Sequence, residues 1–307
     1  MTTFADHLQA SIDKTNSALI AGCDPVIEKF PAFLLEEASA QTKSDDEFIH
    51  RALSIFCEAF LAAVVGRVAA VKPNIAFFEQ YGLAGLSVFK TFCENVRAAS
   101  VPVIIDAKRG DIGSTAAAYS SAFISGTSVR GRSFVPFECD ALTINPFLGF
   151  DTLEPFVTDC ERTGKGLFIL LQTSNPGAKD IQGLECRGKT VSGHIAEWLA
   201  KNAARLEGVS GWSGLGAVVG ASYPDEARAL RKLLPTTFFL MPGFGAQGAA
   251  ADDAVAGFGV QNGRRGGALV NVSRGLLEGA STSIDGFQSV IRDNTDKFNT
   301  QLRGALS

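Results

Sequence analysis

The segment Pro102-Val103-Ile104-Ile105-Asp106-Ala107-Lys108 decides the fold class. An uninterrupted apolar run ends in two charged residues, Asp106 and Lys108, spaced two apart. A run this short has the length of a strand, and its lack of a polar face suits a parallel sheet covered on both sides. The same pattern recurs at residues 18–24, 67–74, 141–147, 166–173, 216–222, 238–244 and 267–274. Segments with helical spacing lie between these runs. Ser44-Asp45-Asp46-Glu47 reads as a capping box, with Ser44 and Glu47 exchanging hydrogen bonds. Phe48, Ala52, Phe56, Phe60 and Val64 then repeat every fourth position and form one apolar stripe. Further helices are predicted at 76–99, 112–125, 151–162, 191–206 and 224–233. Ile284, Phe287, Ile291, Phe298 and Leu302 mark a closing helix.

Regular strand-then-helix units without a composition break point to an α/β chain folded as a (β/α)8 TIM barrel. A doubly wound sheet is the alternative. The expectation is a single barrel domain over residues 1–307, with an N-terminal helix and a C-terminal closing helix. The glycine-rich stretches at 208–216 and 257–267 read as loops within it. The segment 126–139 is expected to be extended, with Arg130 and Arg132 as surface or interface groups.

Composition narrows the function. The chain has 307 residues, 46% hydrophobic and 20% charged, with a net charge of −4. That excludes a disordered protein, and the absence of basic excess argues against a nucleic-acid partner. Asp6, His7 and Asp13 interrupt any apolar leader, and no run reaches membrane-spanning length. The six cysteines form no Cys-x-x-Cys pair. A reducing, cytoplasmic setting without membrane association is expected. His7, His50 and His194 fall outside the strand ends, which leaves little support for a histidine triad or metal site.

In a barrel of this kind, the carboxyl ends of the strands carry the chemistry. Here those ends supply Asp24, Lys72, Asp106 with Lys108, Asn145, Thr173 with Ser174, Ser222, Phe244 and Arg274. Strand alternation places Asp106 and Lys108 on one face, the barrel interior if Val103, Ile105 and Ala107 pack on helices. Asp111 follows just past the strand and Thr115 one turn into the next helix. A row of Lys72, Asp106, Lys108 and Asp111 would keep each carboxylate ionised and each lysine protonated. A protonated lysine in a dry pocket delivers a proton to a developing carbanion, while a fixed aspartate repels a substrate carboxylate. A helix cap or a solvated turn remains the plainer reading of Asp111.

Gly243-Phe244-Gly245-Ala246-Gln247-Gly248 matches Gly-x-Gly-x-x-Gly, but no acid lies about 20 residues on to bind a ribose as a dinucleotide fold requires. Barrels commonly bind phosphate on the loops after strands seven and eight, which here carry Gln247 and Arg274. An ordinary glycine turn and a surface arginine are the alternatives. The loop 172–178 offers hydroxyl and amide groups, with Pro176-Gly177 as a turn.

Asp106-Ala107-Lys108-Arg109-Gly110-Asp111-Ile112 with Thr115 resembles the signature of the orotidine 5′-phosphate decarboxylase family in its longer bacterial form. The resemblance runs from Gly22-Cys23-Asp24-Pro25 through Val71-Lys72-Pro73-Asn74 and Thr173-Ser174-Asn175-Pro176-Gly177 to Ser273-Arg274-Gly275. It implies a cofactor-free lyase that converts orotidine 5′-phosphate to UMP and CO2, the last step of de novo UMP synthesis. It further implies that Asp106 faces the leaving carboxylate and Lys108 protonates C6. Lys72 and Asp24 contact ribose, Ser174 reads the pyrimidine edge, and Gln247 and Arg274 hold phosphate. Asp111 and Thr115 would complete the partner subunit's site, hence a homodimer, with no metal. Cys23 departs from the aliphatic residue expected there. Two competitors remain: a Schiff-base aldolase using Lys72 or Lys108, and a nucleotide-phosphate binder without catalysis.

Overall fold

The computed structural model describes residues 2–40, 42–244, 251–261 and 263–307. Its strands are β1 (Leu19–Cys23), β2 (Ala70–Pro73), β3 (Ile104–Arg109), β4 (Ala141–Ile144), β5 (Gly166–Gln172), β6 (Ser213–Val219), β7 (Thr237–Met241) and β8 (Ala268–Val272). All pair in parallel, in the order β2-β1-β8-β7-β6-β5-β4-β3. Bridges Val71–Val103 and Asn74–Asp106 join β2 to β3 and close the sheet into a barrel. The doubly wound alternative is thereby excluded.

Side-chain alternation sorts each strand between two apolar clusters. Ile20, Ala70, Ile104, Ala141, Phe168, Phe238 and Leu269 fill the barrel. Their neighbours Ala21, Val71, Val103, Ile105, Leu142, Ile169, Phe239 and Val270 pack outward against helices. Each fully buried valine, leucine, isoleucine or phenylalanine among them stabilises the fold by about 1.5–3 kcal/mol relative to exposure. Helix α1 (Phe4–Thr15) adds Phe4, Ala5 and Leu8 to the interior cluster and stoppers the amino-terminal end.

The outer layer contains α2 (Asp45–Val64), α3 (Gly82–Ala98), α4 (Gly113–Ser120), α5 (Glu154–Thr163), α6 (Val191–Asn202), α7 (Pro224–Leu233) and α8 (Ile284–Leu306). On α2, Ala52, Phe56, Phe60 and Val64 are buried as the stripe requires. The capping box is half made. Ser44 accepts from the Glu47 N–H, but the Glu47 carboxylate accepts from Lys43 rather than from Ser44. Helix α8 buries Phe287, Ile291 and Leu302, with the Phe287 ring 5.8 Å from that of Phe56.

Several boundaries differ from the sequence reading. The helix expected over 76–99 is split into Ala76–Glu79 and α3, because Gly82 turns the chain at φ +62°. Strand β6 begins at Ser213, inside a stretch read as a glycine loop. Gly214 and Gly216 face the crowded interior, where a Cβ on Gly216 would lie 2.5 Å from the Phe168 ring. Gly216 makes room for that ring, and neither glycine marks a loop. The segment 126–139 folds as a hairpin, Thr127–Val129 against Arg132–Phe134, with Arg130 and Arg132 exposed. The stretch 257–267 forms a second hairpin, Gly259–Gln261 against Arg264–Gly266.

Candidate active site

The site is the next inward layer of the barrel, two residues beyond the apolar one. Position by position that layer is Gly22, Lys72, Asp106, Thr143, Leu170, Val218, Leu240 and Asn271. All but Gly22 line a cavity of about 490 Å³ at the carboxyl ends of the strands. Gly22 is required by space: a Cβ there would lie 1.9 Å from Ser273 Oγ.

Asp106 is the hub. Its Oδ2 accepts from Lys72 Nζ at 2.9 Å, and its Oδ1 accepts from Lys108 Nζ at 2.6 Å and from Thr143 Oγ1 at 3.1 Å. Burial alone would raise its pKa, but the ammonium charges of Lys72 and Lys108 outweigh that and hold the carboxyl well below the usual carboxylate range. Burial likewise would lower the pKa of Lys72. The charges of Asp106 and Asp24 prevail and hold it above an ordinary lysine. A nucleophilic lysine needs the opposite shift, so Lys72 is unsuited to a Schiff base.

Regular alternation does not by itself aim Lys108. The β3–β4 register shifts between Ile105 and Arg109, and Lys108 adopts φ +49°. A left-handed conformation costs a side-chain-bearing residue about 1–2 kcal/mol. Thr143 compensates. Its Oγ1 accepts the N–H groups of Ala107 at 3.0 Å and Lys108 at 2.9 Å while donating to Asp106. One donor and two acceptor sites are thus all used. The bulge directs Lys108 into the cavity mouth, where its side chain is 50% exposed, against 12% for Asp106. The pocket is therefore not dry at Lys108, contrary to the sequence reading.

Nor does one chain assemble the full row of four. Asp111 Oδ1 accepts from the adjacent Ile112 N–H at 2.7 Å, and neither Asp111 nor Thr115 lines the cavity. Asp24, Ser174 and Arg274 do line it, whereas Gln247 lies outside the described residues. Asp24 Oδ1 and Asn271 Oδ1 are buried there without a hydrogen-bond partner. Ser174 sits against Gly220, whose missing Cβ would come 2.9 Å from the Ser174 backbone. No histidine lines this cavity, and among the described residues no cluster of His, Cys, Asp or Glu is placed to hold a metal. Cys23 is fully buried, behind the site on the helix-facing side.

Sequence reasoning missed Thr143, Asn271 and Gln182, all of which line the cavity. Parity was an available signal for the first two: each falls two residues after an inward apolar position, Ala141 or Leu269. Gln182 had no such signal, since it sits in a loop.

A profile described as the Orotidine 5′-phosphate decarboxylase / HUMPS family matches residues 8–282. The chain belongs to that family. Within the orotidine 5′-phosphate decarboxylase / HUMPS family, the decarboxylase of Rhodopirellula baltica is 42% identical over 312 residues, covering 99% of this chain and 100% of its own. A solved chain from Streptomyces avermitilis is 34% identical with TM-score 0.79, covering 100% of this chain and 96% of that one. The OMP decarboxylase of Leishmania donovani is 29% identical with TM-score 0.72, covering 99% of each. Among the described residues, no helix is long and apolar enough to cross a membrane.

Proposed function

We propose that this chain converts orotidine 5′-phosphate to UMP and CO2, with residues 1–307 acting as one catalytic barrel in the cytoplasm. The observation that carries this reading is the Lys72–Asp106–Lys108 row, two ammonium groups clasping one carboxylate at the mouth of an apolar barrel. In the reaction the C6–carboxylate bond breaks, CO2 departs, and the electron pair stays on C6. Lys108 then gives C6 a proton and is reprotonated from solvent. Asp106 faces the leaving carboxylate. Its ionised state, enforced by its neighbours, repels the substrate carboxylate, and that repulsion is relieved as the carboxylate leaves as neutral CO2. No cofactor takes part.

Asp24, with a buried unpaired oxygen, accepts from a ribose hydroxyl, and Lys72 donates to the ribose. Arg274 holds the phosphate with Gln247, and Ser174 reads the pyrimidine edge. Closure of the surrounding loops over these remote groups dries the half-exposed Lys108. Asp111 and Thr115 serve the second site of a homodimer. Two observations support that: neither faces its own cavity, and Ile112, Phe147 and Leu148 beside them are apolar and exposed at 62%, 73% and 52%.

Metal-stripped protein mixed with orotidylate is expected to convert the substrate's ultraviolet spectrum to that of UMP, and an unchanged spectrum overturns the reading. Lys108→Ala and Asp111→Ala, each inactive alone, are expected to recover about a quarter of wild-type activity when mixed. Half of the randomly paired dimers then hold one intact site of two.

A further inference from the structure

The loop after β5 contains a hydrogen-bond chain whose direction follows from a backbone donor at one end and a short oxygen–oxygen contact at the other. The Thr173 backbone N–H can only donate, and it donates to Gln182 Oε1 at 2.8 Å. That fixes the Gln182 amide, so its Nε2 is the donor to Thr173 Oγ1 at 2.9 Å. The Thr173 hydroxyl donates its hydrogen to Asn175 Oδ1 at 2.6 Å, a separation that fits an O–H···O bond and is too short for an amide N–H donor. The Asn175 oxygen is thereby occupied, and its nitrogen, with two hydrogens, is the group left for a ligand. Thr173, Ser174, Asn175 and Gln182 all line the active-site cavity.

The loop is anchored on both sides. Ser192 Oγ donates toward Leu171 O at 2.9 Å and Gln172 Oε1 at 3.0 Å, and the Ser192 N–H donates to Gln182 O at 3.1 Å. Gln182 is thus held by its backbone as well as by both ends of its amide.

We infer that Gln182 and Thr173 are positioning residues which lock Asn175 as a hydrogen-bond donor, so that this loop selects a nucleoside monophosphate whose base presents a carbonyl oxygen to it. A base with an amino group at that edge meets donor against donor and is rejected. A site built around a directed hydrogen bond discriminates far more strongly than apolar contact does. The inference rests on the proposed orotidylate reading and deepens it by assigning base selection to a relay.

The direction can be reversed by a near-isosteric change. In Gln182→Glu both side-chain oxygens accept, so the Thr173 hydroxyl turns toward Glu and offers its lone pairs to Asn175. The Asn175 amide then flips and presents its oxygen to the cavity. The experiment compares competitive inhibition by UMP and by cytidine 5′-monophosphate. Wild type is expected to favour UMP by about tenfold or more, the scale of one directed hydrogen bond. Gln182→Glu is expected to lose about tenfold of that preference, and Asn175→Asp to do the same. Thr173→Ser is expected to keep it and Thr173→Val to lose it, which decides the matter should Gln182→Glu fold poorly. A wild-type ratio in folded Gln182→Glu, or in Thr173→Val, overturns the relay. Side-chain amide exchange followed by NMR in the unliganded protein is independent of the substrate reading. Slow exchange at Gln182 with fast exchange at Asn175 supports the relay, and equally fast exchange at both overturns it. Failure of wild type to consume orotidylate overturns the substrate reading instead.

Discussion

Lys72 and Arg231 are two cations buried in one barrel, 5% and 8% exposed, at opposite ends of it. Arg231 sits at the amino-terminal end and faces dipoles. It donates to the carbonyls of Leu234, Thr237, Gly257 and Gly267 at 2.7–2.8 Å, and its guanidinium lies 3.8 Å from the Phe239 ring centroid. Burial pulls its pKa down to about 9, which leaves it charged at neutral pH. Lys72 at the carboxyl-terminal end faces charge, from Asp106 and Asp24, and is shifted upward. Around Arg231 the carbonyl acceptors meet the guanidinium's needs. Around Lys72 one oxygen of Asp24 and one of Asn271 have no protein partner. The guanidinium at the floor is thus satisfied within the protein, although the Thr237 hydroxyl beside it is buried without a partner, whereas the mouth leaves acceptors on Asp24 and Asn271 open to a ligand.

The contrast separates activity from stability, and substitutions at the two ends are expected to fall on opposite sides. The largest effect belongs to the mouth. Lys108→Ala is expected to lower kcat/KM by about a thousandfold or more, the range for a removed general acid in a charged site, with almost no change in urea midpoint because the side chain is half exposed. At the floor, Arg231→Met leaves several carbonyls without their donor. A loss of about 3 kcal/mol in unfolding free energy is expected, with kcat/KM near wild type at temperatures where the variant stays folded.

A third comparison uses pH. The Asp106 pKa is lower folded than unfolded, so its ionisation stabilises the native state fully above about pH 4 and loses that contribution as pH falls toward the folded value. Asp106→Asn removes this contribution. The stability gap between wild type and variant, about 2 kcal/mol at neutral pH, is expected to shrink on acidification below about pH 4 in denaturant titrations. The smallest effect is expected of Thr143→Val. It orphans the N–H groups of Ala107 and Lys108 and removes one bond to Asp106, so kcat is expected to fall about tenfold with KM nearly unchanged.

Much of the barrel was legible in the sequence because strand runs are local and every strand needs two apolar faces. Residues 104–109, 141–144 and 237–241 were readable for that reason. Legibility ended where space rather than hydrophobicity decides. Gly214 signals a loop to a local rule, yet it is a strand residue beside Phe4, and Gly216, at the boundary between the expected loop and strand, leaves room for the Phe168 ring. At the site, Lys72, Asp106 and Lys108 could be named from their positions at strand ends. The φ +49° bulge that aims Lys108 could not, because it depends on Thr143 from a neighbouring strand. The exposure of Lys108 was also hidden, since strand parity reports which face a side chain takes and says nothing of the cover above it. The spacing that groups Asp111 with the row reports no tertiary position, and within one chain its carboxylate lies outside the cavity, accepting from the Ile112 N–H.

The charged row is held to act as a unit, and a double-mutant cycle in kcat/KM tests this most directly. Lys108→Ala, Asp106→Asn and the double variant are assayed with orotidylate. If the two groups cooperate on one bond-breaking step, the double variant should be about as active as the weaker single variant. Losses that simply multiply would mean that Lys108 and Asp106 work independently, and would contradict the row as the source of decarboxylation.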